Sequence, residues 1–111
     1  MTDDRTYLKH IRDAIGKITA YTAGGRAAFL QDTLIQDAVV RNLEIIGEAV
    51  KHLSEALRQQ HPEIPWKRIA GMRDEMIHEY FGVDITIVWN VVQQHLPALN
   101  QKINDLFRLS S

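Results

Sequence analysis

Apolar residues recur along this chain at spacings of three and four, and no window alternates as a strand would. The first such run is Leu8, Ile11, Ile15, Ile18 and Thr22. It predicts a helix capped by Thr2, with Asp3 and Asp4 suited to its first turn and Gly24-Gly25 ending it. A short helical turn follows from Arg26 to Gln31. Asp32 then reads as the cap of a long second helix, reaching about Gln60, where His61-Pro62 stops it. This helix carries two apolar stripes. Val39, Leu43, Ile46, Val50, Leu53 and Leu57 form one, and Ile35, Ala38, Ile45, Ala49 and Ala56 widen it. Gly47 in its interior lowers helix propensity by about 1 kcal/mol relative to Ala, which predicts a helix packed closely against it. Two apolar sides in so short a chain predict a partner, most simply a second copy. The alternative is a central helix of a monomeric bundle.

Pro62 and Pro65 bracket a connector, and Pro65-Trp66-Lys67-Arg68-Ile69 reads as a short helical turn. A further helix is expected from Ala70 to Tyr80, broken by Phe81-Gly82-Val83. Asp84 then caps a last helix with the stripe Ile85, Val88, Val92, Leu96, Leu99, Ile103 and Leu106, kinked at Pro97. There is no internal repeat, low-complexity tract or linker. The expectation is an all-α fold: one domain over 1–111, an up-and-down bundle of four main helices plus short helical turns.

At 111 residues, 45% hydrophobic and 24% charged, the composition is that of an ordinary soluble globule. With no cysteine there is neither a disulfide framework nor a thiolate metal site, which suits a reducing cytoplasm. Met-Thr-Asp-Asp-Arg at the N-terminus has acids where a signal peptide needs bases, and no run approaches a membrane span. The expected location is therefore cytoplasmic, with no membrane partner. The net charge of −1 lacks the general basic footprint of a nucleic-acid binder. Any action on RNA must come from a local positive cleft.

The stretch Arg73-Asp74-Glu75-Met76-Ile77-His78-Glu79-Tyr80 carries the candidate chemistry. A guanidinium is well shaped to hold phosphate, and an imidazole moves protons near neutral pH. Together they suffice to cleave RNA without a metal or other cofactor. Arg73 and His78, five apart on a helix, lie about 140° from each other, whereas Arg73 and Tyr80 share a face. Convergence of the first two requires the length of Arg73, a helix ending near His78, or a symmetry mate. Structurally, His78 could equally be a polar residue near a helix C-terminus, and Arg73 an ion-pair partner. A second constellation lies on the long helix, where Arg41, Glu44, Glu48, Lys51 and His52 fall at helical spacings. Arg41–Glu44 and Glu48–His52 can touch there, either as a solvated face or to brace the motif from across the bundle. Glu48 and His52 lack an evident third ligand for a metal. His10, His61 and His95 show no partner pattern. Tyr7 and Tyr21 read as packing residues, and Trp66 and Trp89 as core or interface anchors.

Three blocks together resemble the HepT-like branch of the HEPN superfamily, small helical proteins of bacteria and archaea. The first runs from Asp37 to Ala49 and includes Arg41-Asn42-Leu43-Glu44 and Ile46-Gly47-Glu48. The second is Pro62-Glu63-Ile64-Pro65-Trp66 continuing into Ile69 through Asp74. The third is His78 through Asp84, then Val88-Trp89 to Leu96-Pro97. The resemblance covers essentially the whole chain. It implies a metal-independent endoribonuclease toxin, homodimeric, paired with a minimal nucleotidyltransferase antitoxin. The family's Arg-x4-His-x-Tyr motif falls on Arg73, His78 and Tyr80, and its polar residue after the arginine falls on Asp74. It further implies that the motifs of two protomers meet across the interface, and that the antitoxin transfers AMP to Tyr80. Arg41 and Glu48 would support the site. A second class of function is a non-catalytic helical module that binds a nucleotidyltransferase and a nucleotide or RNA. The intact Arg73/His78 pair favours the enzyme, and the mild acidity favours the module.

Overall fold

A computed structural model describes residues 3–78 and 84–109, with the side chains of 73–78 left aside. Seven α-helices fill the described residues: α1 Asp4–Tyr21, α2 Arg26–Gln31, α3 Thr33–His52, α4 Glu55–Gln60, α5 Trp66–His78, α6 Ile85–Gln94 and α7 Leu96–Leu109. The expected all-α class holds, and the long helices follow the predicted stripes.

The start of α1 is capped by Asp3, not Thr2: the Asp3 carboxylate accepts from the Thr6 amide and, at 2.5 Å, from its hydroxyl. The helix ends at Thr22, and Gly25 makes the turn beyond it with φ of +94°, a left-handed conformation that suits glycine. Asp32 caps α3 as expected, its carboxylate accepting from the amides of Leu34 and Ile35.

Two predicted continuous helices are in fact broken. The helix expected to run to Gln60 stops at His52, where Leu53 turns extended (ψ 145°) and its side chain enters the core at 2% exposure. Ser54 restarts it by accepting from the Leu57 amide. The Ser54 amide and hydroxyl both donate to the Asp4 carboxylate, at 2.7 and 2.6 Å, so the break is tied to the first turn of α1. The last helix likewise divides at His95 rather than kinking. Pro97 thereby sits in the first turn of α7, where its missing amide hydrogen costs nothing and its ring meets no preceding carbonyl. Conversely, the turn at Trp66 and the motif helix are one element, α5.

α3 is the central helix, packed against α1 on one side and α5 on another, and α1 also packs on α7. The first apolar seam is used within the chain: Val39, Leu43, Ile46 and Val50 are buried, as are Gly47 and Ala49, whereas Ile35 and Ile45 of the second stripe are only partly buried and Ala56 is exposed. The buried residues meet Leu8, Ile11, Ile15 and Ile18 of α1, with Ile103 and Leu106 of α7 completing the same core. Phe29 of α2 lies against Trp89 of α6, ring centroids 5.2 Å apart. Trp66 and Trp89 are core residues, whereas Tyr21 is exposed. At the far end of α7, the guanidiniums of Arg5 and Arg12 each lie 4.0 Å from the Phe107 ring centroid, pinning α7 to α1.

Candidate functional site

The site is built on α5 and α3. α5 opens with Trp66, whose indole N–H donates to the His61 carbonyl at 2.9 Å, and it turns Trp66 and Ile69 inward. The helix then carries positions 73, 74 and 78 on one continuous backbone alongside α3. By helical register, position 73 falls in line with buried Trp66 and Ile69, while position 78 lies about 140° further round. Tyr80 lies outside the described residues, as does the expected break at Phe81-Gly82-Val83.

The polar face of α3 is ordered as its spacing predicts. Arg41 Nη1 lies 3.4 Å from Glu44 Oε2, and His52 Nε2 lies 3.3 Å from Glu48 Oε1. The Glu44 side chain is only 18% exposed although its partner Arg41 is 71% exposed, so the guanidinium holds a largely enclosed carboxylate from the solvent side. No third ligand stands by Glu48 and His52 to complete a metal site among the described residues.

What the sequence did not disclose is that α1 completes this face. Tyr7 stacks on His52, centroids 5.0 Å apart and planes 13° from parallel, and His10 meets the Tyr7 ring edge-on at 5.7 Å. These three rings and Arg41, Glu44 and Glu48 line a cavity of about 390 Å³ between the two helices, with Ile45 and Ala49 as its apolar part. His10 meets Tyr7 one turn earlier on α1, and the pairing of α1 with α3 brings His52 to the same rings. Tyr7, expected as a packing residue, is partly buried against the core and also lines the cavity. His61 lies apart, 3.4 Å from Glu63 in the connector.

The helical bundle agrees with comparison to known proteins. The model of the Ribonuclease HepT-like family matches residues 11–106. The chain belongs to that family. Among its relatives is a Thermococcus cleftensis protein named "Probable ribonuclease HepT", 44% identical over 103 residues that cover 92% of this chain and 94% of the relative. A protein of Caldanaerobacter subterraneus, named as a candidate RNase, is 40% identical over 109 residues and 97% of each chain. The mRNA nuclease HepT of Shewanella oneidensis is 29% identical over 105 residues, 73% of this chain and 79% of the other. No solved structure gives a significant match. Among the described residues, no helix is long and apolar enough to cross a membrane.

Proposed function

We propose that this protein is a metal-independent endoribonuclease toxin acting in the cytoplasm as a homodimer, the whole chain forming one domain. The observation that carries the reading is the Arg73-x4-His78-x-Tyr80 order within the HepT-like match. Neutral His78 takes the proton from a ribose 2′-hydroxyl, whose oxygen attacks the adjacent phosphorus. The P–O5′ bond breaks, and a protonated histidine gives the departing 5′-oxygen its proton. Arg73 holds the phosphate and stabilises the charge that builds on its oxygens. The products are a 2′,3′-cyclic phosphate and a 5′-hydroxyl. Asp74 positions Arg73, and Arg41 and Glu48 support the site from α3.

The resemblance to HepT-like proteins supports the dimer. Positions 73 and 78 diverge by about 140° along α5, and pairing the Arg73 of one protomer with the His78 of another brings both to one phosphate. A minimal nucleotidyltransferase neutralises the toxin: the Tyr80 hydroxyl attacks the α-phosphorus of ATP, forming a phosphodiester to AMP and releasing pyrophosphate. The added AMP brings bulk and negative charge to the place where substrate phosphate sits.

The test is incubation of labelled RNA with the purified protein in EDTA, beside His78→Ala. Cyclic-phosphate fragments from the wild type and none from the variant are expected. Intact RNA in both, with the nucleotidyltransferase still bound, would favour the non-catalytic module, for which the net charge of −1 speaks.

A further inference from the structure

Besides Arg41 and Glu48, the cavity between α1 and α3 carries groups that phosphate cleavage does not need. One part of its lining is aromatic: the stacked Tyr7 and His52, with His10 at the edge of the tyrosine. Stacking platforms of this kind take up any nucleobase, because every base has a π-face. Another part is carboxylate. Glu44 is held through Oε2 by Arg41, its side chain is 18% exposed, and its Oε1 has no hydrogen-bond partner among the described residues. An ionised carboxylate only accepts hydrogen bonds. Among the four RNA bases, guanine alone presents two adjacent donors, N1–H and N2–H, on its Watson–Crick edge. Adenine and cytosine set an acceptor beside their amine, and uracil flanks its single N–H with two carbonyls. A volume of about 390 Å³ lies within the range that encloses a small ligand.

We propose that this cavity binds the guanine base of a nucleotide, stacked on the outer face of the Tyr7–His52 ring pair and read along its edge by Glu44. Building on the ribonuclease reading, the nucleotide is an unpaired guanosine of the RNA substrate, so the cavity gives the enzyme its sequence preference. The exposed Arg41 guanidinium, beyond its contact with Glu44, faces the solvent from which that nucleotide's phosphate arrives.

GMP, AMP, CMP and UMP titrated into the full-length protein, followed by the ring-proton shifts of Tyr7, His10 and His52, test the base directly and require no cleavage. GMP should bind tighter than the others by on the order of 10-fold, as a bidentate edge contact discriminates. Glu44→Gln, which replaces one acceptor with a donor, should erase that preference. His52→Ala, at a largely exposed position, should weaken all four nucleotides while leaving the fold intact by circular dichroism. Equal affinities, or a guanine preference that survives Glu44→Gln, would overturn the proposal. Sequencing of fragment ends from a mixed RNA separates the two sources of guanine. A guanosine at a fixed distance from the cut, lost in Glu44→Gln with kcat at saturating RNA retained, assigns the cavity to substrate. Tight GMP binding without such a signature assigns it to a free guanine nucleotide. Should no RNA be cut at all, the ribonuclease reading falls, and the titrations still decide for or against the cavity.

Discussion

Alanine at Arg73 removes the long aliphatic stem together with the charge. The cleaner substitution is Arg73→Lys, which keeps the charge but loses the planar two-pronged donor set. We expect RNA cleavage to fall on the order of 10²-fold or more in Arg73→Lys, as for loss of a donor to developing charge, with the thermal midpoint nearly unchanged. His78→Ala should lose on the order of 10²–10⁴-fold as a missing general base. Wild-type rates in both would remove the assignment. At the opposite end of the chain, the hydroxyl and amide of Thr6 hold the Asp3 carboxyl below its usual 3.8. A carboxyl so depressed helps hold α1 above its unfolded value, and that help fades as pH falls through the folded one. An NMR titration of Asp3 should therefore show its midpoint below 3.8, moving part of the way back in Thr6→Val, which loses the hydroxyl but keeps the amide.

At the scale of elements, the two breaks differ in what holds them. The α6–α7 division follows from proline, whose ring cannot follow a helical carbonyl four residues back. The α3–α4 division depends on a long-range contact, because Ser54 gives its amide and hydroxyl to Asp4, fifty residues earlier. Ser54→Ala removes one such bond together with the cap of α4, and should destabilise the protein by about 1–2 kcal/mol in urea unfolding. Asp4→Asn should cost a comparable amount, and the double variant less than the sum, since both act on one contact. Additive losses would mean that the two residues act separately. The paired guanidiniums on Phe107 give a third handle: Phe107→Leu keeps most of the volume, removes the π-face, and should lower stability by about 1 kcal/mol.

For the molecule as a whole, the divergence of positions 73 and 78 makes complementation the decisive measurement. Mixing inactive Arg73→Lys with inactive His78→Ala, after partial unfolding and refolding together, should restore cleavage if each site draws on two chains. A mixture as inactive as its components would confine the site to one chain. Sedimentation equilibrium should return about twice the 12.7 kDa chain mass. The acidity of the chain has its own consequence. Lys9 and Arg12 pair with Asp13, Arg41 with Glu44, and Arg108 with Asp105, so part of the described cationic surface is already matched by acids. RNA affinity should then depend weakly on salt, with a log–log slope near that of about two or three phosphate contacts. A slope several times steeper would point to a broad basic track.

Helical class, the stripes of the long helices, the Asp32 and Asp84 caps and the order of the motif residues were legible in the sequence, because periodicity and capping act over four residues or fewer. So was the pairing of Arg41 with Glu44 and of Glu48 with His52, neighbours on one helix. The break at Leu53-Ser54 was not, since what stabilises it is a carboxylate in the first turn of α1. The double apolar surface of α3 was visible, but a sequence does not say whether a second copy or the rest of the same chain covers it. Tertiary packing puts α1 and α5 against the first stripe and leaves Ile35, Ala38 and Ile45 of the second only partly covered. It also made the cavity: Tyr7 and His10 stand about forty residues from His52, and nothing local in either helix brings three rings together. Local rules choose elements, and only the burial of their apolar faces against one another chooses which polar faces share a site.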